Sequence, residues 1–415
     1  MSATTDPAPA PTLRSLIPSV FLPAVVYEVG IGAITPVVAI TALDLGASAG
    51  TAGFLVALLG IGQLIGNVPS AAVAARLGDR KAMVVAAGVS VVAVTGCFFA
   101  TSLPLLGVCL FVLGMGNSTF YLARQSYLTE VAPPHLRARA LSMLGGSHRV
   151  GLFIGPFLGA AAISLTSLHA AYLVAAGAAV LAGVLLLVIP DVAPAGPPRP
   201  ARRSGVAPGF GATLREHRSL LATLGVAVLA IGAVRAARQV VLPLWAVHIG
   251  LSPEATSLVF GIASAVDMAL FYPSGKVMDR YGRLTVALPS MLILGLAMAA
   301  LPLTGGIVAL TVVAMVMSLG NGIGSGIVMT LGADAAPPDD RLRFLSIWRL
   351  MSDTGVAVGP VIVSLVAGVW TLAAGIVVMG GVGALSAGAL ARWAPRYSAF
   401  ATPAMVRQQR LSAGR

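Results

Sequence analysis

Eight ionisable side chains interrupt long apolar runs in this chain: Glu28, Arg124, Arg149, Arg235, Arg238, Asp267, Arg349 and Asp353. Charges in apolar surroundings are costly and persist where they bind, pair or move a proton. A carboxylate that exchanges an arginine partner for a proton is a workable coupling switch, since each partner favours one protonation state. Glu28 is the first choice for that role, followed by Asp267 and then Asp353. The expected pairings are Glu28 with Arg149, Arg235 with Asp267 or Asp353, and Arg349 with Asp353 at i, i+4 on one helix face. Nine polar residues either line a substrate cavity or bond between helices: Tyr27, Gln63, Asn67, Asn117, Tyr121, Gln125, Gln239, Trp245 and Asn321. His148, beside Arg149, is able to titrate near neutral pH, although a lone histidine is more often structural. There is no metal-ligand cluster and no glycine-rich phosphate loop ending in Lys-Ser or Lys-Thr, so neither a metal nor ATP nor enzymatic chemistry is expected. Cys97 and Cys109 both sit in apolar runs, which suits packing and excludes a disulfide scaffold.

The elements that must hold these groups follow from composition. Hydrophobic residues make up 57% of the 415 and charged residues only 10%, against about 25% charged in soluble domains. Such a chain cannot cover a water-facing exterior. Twelve apolar runs reach the roughly 20 residues that a spanning helix needs. They lie near 16–43, 49–75, 82–101, 103–130, 138–165, 168–190, 219–246, 254–277, 284–303, 306–331, 343–367 and 369–391. The predicted class is an all-α membrane protein.

Of the 26 Lys and Arg, 21 fall in the terminal tails or in loops after even-numbered spans, and none in loops after odd-numbered spans. That bias predicts cytoplasmic termini in a multi-pass protein of the cell membrane. It also accounts for the net charge of +12 without a nucleic-acid partner. Residues 1–15 read as a cytoplasmic tail without the features of a cleaved signal peptide. Residues 16–190 and 219–392 form two six-helix bundles, the Pro/Gly/Arg-rich stretch 191–218 is a cytoplasmic linker, and 393–415 is a second tail.

The two bundles repeat in sequence. Residues near 69–156 overlie residues near 273–360 at an offset of 204, without a gap. Arg76 and Gly78 match Arg280 and Gly282, Glu130 matches Asp334, and Arg137 matches Arg341. Gly151, Gly155 and Pro156 match Gly355, Gly359 and Pro360. A parallel repeat of six helices is a transporter architecture, in which two halves rock about a site between them.

The loop after the eighth span reads Gly275-Lys276-Val277-Met278-Asp279-Arg280-Tyr281-Gly282-Arg283. It resembles the G-x-x-x-D-R-x-G-R signature of the major facilitator superfamily, and the resemblance extends over essentially the whole chain. In that family the cluster latches the halves in one conformation. The first-half copy departs from the pattern: Ala75 stands where the Asp is expected, and Asp79, followed by Arg80, comes four residues later. Gly151-x-x-x-Gly155-Pro156-x-x-Gly159 in the fifth span resembles the motif of twelve-span drug/proton antiporters. Small residues at that spacing also serve plain helix packing. The Arg and Gln-Gly that such exporters carry early in the fourth span are missing; Arg124 lies further toward the cytoplasm.

The resemblance implies a secondary transporter with a small-molecule substrate, a lipid surround, a proton as coupling ion and a monomeric state. Proton-coupled efflux of small amphipathic compounds is the leading expectation. An importer or uniporter of a small metabolite, anionic or not, is the alternative; Arg235 and Arg238 would suit an anionic one. Glu130 with Arg137 and Asp334 with Arg341 are expected to act as gate or latch pairs.

Overall fold

Without water in the hydrocarbon layer, every backbone N–H and C=O must bond within the protein, and a helix meets that demand inside one segment. The computed structural model describes residues 13–133, 136–191, 214–337 and 341–413. Twelve helices are long and apolar enough to cross a membrane. They are α1 (Ile17–Asp44), α2 (Ala49–Leu77), α3 (Asp79–Phe98), α4 (Leu103–Val131), α5 (Arg137–Leu165), α6 (Ala170–Val188), α7 (Arg218–His248), α8 (Pro253–Tyr281), α9 (Leu284–Leu303), α10 (Ile307–Ala335), α11 (Arg341–Val369) and α12 (Leu372–Tyr397). A short helix, α13 (Pro403–Ala413), follows. No strand occurs among the described residues, and the twelve-span all-α fold read from the sequence is the one observed. The expectations for residues 1–12, for linker residues 192–213 with Arg199, Arg202 and Arg203, and for Arg415 lie outside the described residues.

The 204-residue offset extends to the helix ends. Ala49–Leu77 and Pro253–Tyr281 start and stop in register, as do Leu103–Val131 and Ile307–Ala335. So do Arg137–Leu165 and Arg341–Val369. Ser48 and Ser252 cap equivalent helices, their hydroxyls accepting the Thr51 and Ala255 N–H. Gly78 and Gly282 end α2 and α8 at φ +81° and +96°, a conformation that glycine adopts without a Cβ penalty.

Helices α1–α6 pack together, as do α7–α12. In each half the first helix lies against the fifth and sixth, and the second against the fourth. The halves meet mainly where α2 runs along α11 and α5 along α8. Helices α3, α6, α9 and α12 stand outside these seams and expose Val92, Leu187, Leu296 and Leu385, as lipid-facing helices should.

Away from the basic loops the α2–α11 seam is tight. The Ser364 hydroxyl donates to the Gly50 carbonyl at 2.5 Å. A Cβ on Gly50 would come within 2.9 Å of the Ser364 carbonyl and 3.1 Å of the Gly368 Cα. The seam continues to Asn67, which donates to Asp353 at 3.2 Å. Beyond that pair, toward the basic loops, Ala71, Ala72, Ala75 and Arg76 of α2 and Leu350 of α11 are exposed.

Candidate functional site

Glu28 lies on α1 where α5 crosses it. Gly151 carries no side chain and rests on the Glu28 Cβ, so the two backbones approach closely. Gly155 packs on the Val29 carbonyl, and Gly159 would bring a Cβ to 2.9 Å of the Ala33 carbonyl. The second half repeats the arrangement, with Gly355 on Leu229 and Gly359 on Ala233. The Gly-x-x-x-Gly-Pro segments thus serve as crossing points, and Pro156 and Pro360 lie inside their helices.

The Glu28 carboxylate is 0% exposed. Its Oε1 accepts from Arg124 Nη1 at 2.9 Å. Its Oε2 lies 2.8 Å from His148 Nδ1 and accepts from the Tyr121 hydroxyl at 3.2 Å. The expected Glu28–Arg149 pair does not form. Neighbouring helical residues point about 100° apart, and α5 turns His148 toward α1 and Arg149 toward the other half. Arg149 Nε lies 3.9 Å from Asp267 Oδ2, its Nη2 donates to the Ser325 hydroxyl, and its guanidinium sits 4.2 Å from the Phe271 ring centroid. The His148 side chain is 40% exposed. It reaches the cavity, as does Tyr121.

Arg235 and Arg238 both face α10. Gly326, at φ +81°, interrupts that helix. Arg235 Nη2 donates to the Gly324 carbonyl at 2.6 Å, and Arg238 Nη1 to the Ser318 hydroxyl at 2.7 Å. Among the described residues Arg235 forms no ion pair with Asp267 or Asp353, contrary to expectation. Asp267 instead accepts from Asn321 Nδ2 at 3.0 Å. Arg349 and Asp353 do approach, at 3.7 Å, and Arg349 also donates to Gln125 Oε1 at 3.0 Å.

A cavity of about 300 Å³ lies between the halves. Its walls are mostly apolar, with Ile31, Val38, Val56 and Leu59, and its polar groups include Gln63, Tyr121, His148 and Gln239. A smaller recess of about 130 Å³ adjoins it, lined by Gln63, Asn67, Tyr121, Arg349 and Asp353 among others. Four other candidates for cavity lining turn out to bond internally. Tyr27 stacks on Phe120 with ring centroids 3.9 Å apart and donates to Asn117 Oδ1 at 2.6 Å, which places both in the core of the first half. Trp245 Nε1 donates to Thr304 Oγ1 at 3.0 Å, and Asn321 is held by Asp267.

Arg80, Arg283 and Asp334 bond within their own halves. Arg283 grips Asp334 with bonds of 2.9 and 3.2 Å, and the Ser398 hydroxyl donates to the same carboxylate at 2.6 Å. Asp334 is thereby taken from Arg341. Asp279, 75% exposed at its side chain, lies 3.7 Å from Arg283, Arg280 stacks on Tyr281, and Gly275 sits in open space. Arg80 staples the start of α3 to the end of α6, donating to Leu186 O at 2.7 Å and pairing with Asp191 at 3.2 Å. Asp79 takes a hydrogen bond from Ser126. Arg137 donates to the Ala132 carbonyl at 3.2 Å and forms no pair with Glu130 among the described residues.

His148 is the functional candidate that sequence reasoning undervalued. A signal was present: His148, Gly151, Gly155 and Gly159 share one face of α5 by spacing, so the histidine points where the glycine stripe points.

Residues 20–330 and 224–404 match the model of the Major Facilitator Superfamily. The chain is 23% identical over 286 residues to the uncharacterised MFS-type transporter YhjO of Bacillus subtilis, covering 69% of each. It is 26% identical over 166 residues to the multidrug resistance protein MdtG of Klebsiella pneumoniae, covering 39% of this chain and 40% of that one. Among solved structures it resembles a bacterial homologue of the lysosomal transporter Spinster in an inward-facing, unoccupied conformation, with TM-score 0.70, 14% identity and coverage of 97% and 98%. It also resembles the D-xylose–proton symporter, with TM-score 0.66, 17% identity and coverage of 90% and 96%. Family match, twelve spans and a cavity between two repeated halves agree, and the chain belongs to the Major Facilitator Superfamily of secondary transporters.

Proposed function

We propose that this protein exports small amphipathic compounds in exchange for protons, with Glu28 as the proton-carrying carboxylate. The observation that carries the reading is the contact of buried Glu28 with both Arg124 and the cavity-facing His148. A proton taken from cavity water onto the outer His148 nitrogen lets Nδ1–H pass its own to Glu28 Oε2. Glu28 then becomes a neutral acid, Arg124 loses its counter-charge, and the α1–α4–α5 contact is free to rearrange. A mostly apolar cavity suits an amphipathic cargo. The multidrug resistance name of the Klebsiella relative favours export. In this reading the protein is a monomer of the cell membrane with both termini in the cytoplasm.

Glu28→Gln is expected to abolish transport driven by an imposed pH gradient in proteoliposomes while the protein stays folded. Undiminished gradient-driven transport by that variant would overturn the assignment. Substrate class is found by a susceptibility and accumulation screen in a pump-deficient host, with and without a protonophore. The second reading, an importer or uniporter of a small metabolite, an anionic one by preference, is favoured by half-buried Arg235 and buried Arg238, and the direction of flux separates the two.

A further inference from the structure

The charges between the halves do not balance. Arg149, Arg235 and Arg238 act on a single carboxylate, Asp267, which leaves a surplus of two positive charges. The other buried carboxylates are committed elsewhere, Glu28 to Arg124 and His148, and Asp353 to Arg349 and Asn67. All four groups converge on one stretch of α10: Ser318 holds Arg238, Asn321 holds Asp267, Gly324 holds Arg235 and Ser325 holds Arg149. Each of the three arginines keeps a buried Nε–H donor without an acceptor. Uncompensated buried charge and unmade charged hydrogen bonds are both strongly unfavourable. The site is therefore short of an anion.

We propose that the bend of α10 and these three arginines form the head-group site for an anionic amphiphile, a carboxylate or phosphate whose apolar tail lies in the adjoining cavity. The proposal rests on the reading of that cavity as the substrate passage. The arginines stand next to the cavity wall: Leu152, about one turn after Arg149, and Ala236 and Gln239, which follow Arg235 and Arg238, line the cavity. Guanidinium forks match the oxygens of carboxylates and phosphates and bind them more strongly than neutral donors do. Arg149 belongs to the first half and the rest to the second, so a bound head group ties the halves together. That link lets cargo binding bias the rocking of the halves.

The test is thermal unfolding of the full-length protein in an uncharged detergent at fixed pH and ionic strength. The probes are decanoate and octyl phosphate, with decanol, decyltrimethylammonium and sodium chloride as controls. The two anions are expected to raise Tm by several degrees and the controls are not. Arg235→Gln and Arg238→Gln are each expected to unfold no earlier than the parent without ligand, because a surplus charge is gone, and to lose about tenfold or more in anion affinity. Equal stabilisation by decanol, saturation of the effect by chloride alone, or unchanged affinity in both variants overturns the proposal. Nanodiscs with and without phosphatidylglycerol separate the sources: stabilisation by that lipid, lost in both variants, supports the site and assigns its head group to the bilayer. Binding needs no gradient, so a failed Glu28→Gln transport test and a failed anion shift are read independently.

Discussion

Glu28 keeps three polar partners in a place where one missing partner is expensive. Arg124 is also buried, and its Nε has no acceptor. Removing one member of a buried pair costs about 3–5 kcal/mol, because the other charge is stranded. Arg124→Gln is expected to lose about that much, and Glu28→Gln/Arg124→Gln to recover part of it, as measured by unfolding in detergent. His148→Gln is expected to leave the fold intact and to slow transport driven by a pH gradient, because the route from the cavity to Glu28 is cut; initial rates in proteoliposomes check it. The sequence marked Glu28 and the arginines through their apolar surroundings. Apart from Arg349 with Asp353, their partners were not legible, because pairing depends on the rotation of α5, and a one-residue step exchanges His148 for Arg149. Tyr27 and Trp245 look like cavity aromatics in one dimension, yet both turn inward to Asn117 and Thr304.

At the scale of helices, the repeat was the strongest signal. Basic loops, capping serines and turn glycines recur at one offset, so three helix pairs share their ends to the residue. One difference between the halves lies in α10. It bends at Gly324–Gly326 where α4 runs unbroken through Phe120, Tyr121 and Leu122. The cluster Gly320, Gly322, Gly324, Gly326 was visible, but only the structure shows that the arginines converge on it. Elsewhere small residues let helices approach closely. Gly155 faces the Val29 carbonyl and the α1 backbone, which cannot yield as a side chain would. Gly155→Leu is expected to destabilise the protein by about 1–3 kcal/mol or more through overpacking, seen as a lower Tm in detergent. Asp334 joins the α8–α9 turn to the chain near Ser398. Asp334→Ala is expected to speed proteolysis of the segment after Tyr397, with protease-resistant mass as the readout.

For the whole molecule, the α2–α11 seam decides which face is shut. Gly50 meets Ser364 and Gly368 backbone to backbone, so a larger side chain has to wedge the seam apart. With Cys97 and Cys109 replaced by serine, Gly50→Leu is expected to increase labelling of a cysteine placed at the cavity residue Thr35 by a membrane-impermeant thiol reagent added from the sealed face. Unchanged labelling would show that the seam is not the barrier. The seam has a wider consequence. A charge crossing a membrane held at 100 mV releases about 2.3 kcal/mol, and a continuous water thread through the protein would let ions take that route unaccompanied. The tight Gly50–Ser364 contact lies across the path of such a thread, so closing this seam serves the membrane's electrical potential as well as the cargo cycle.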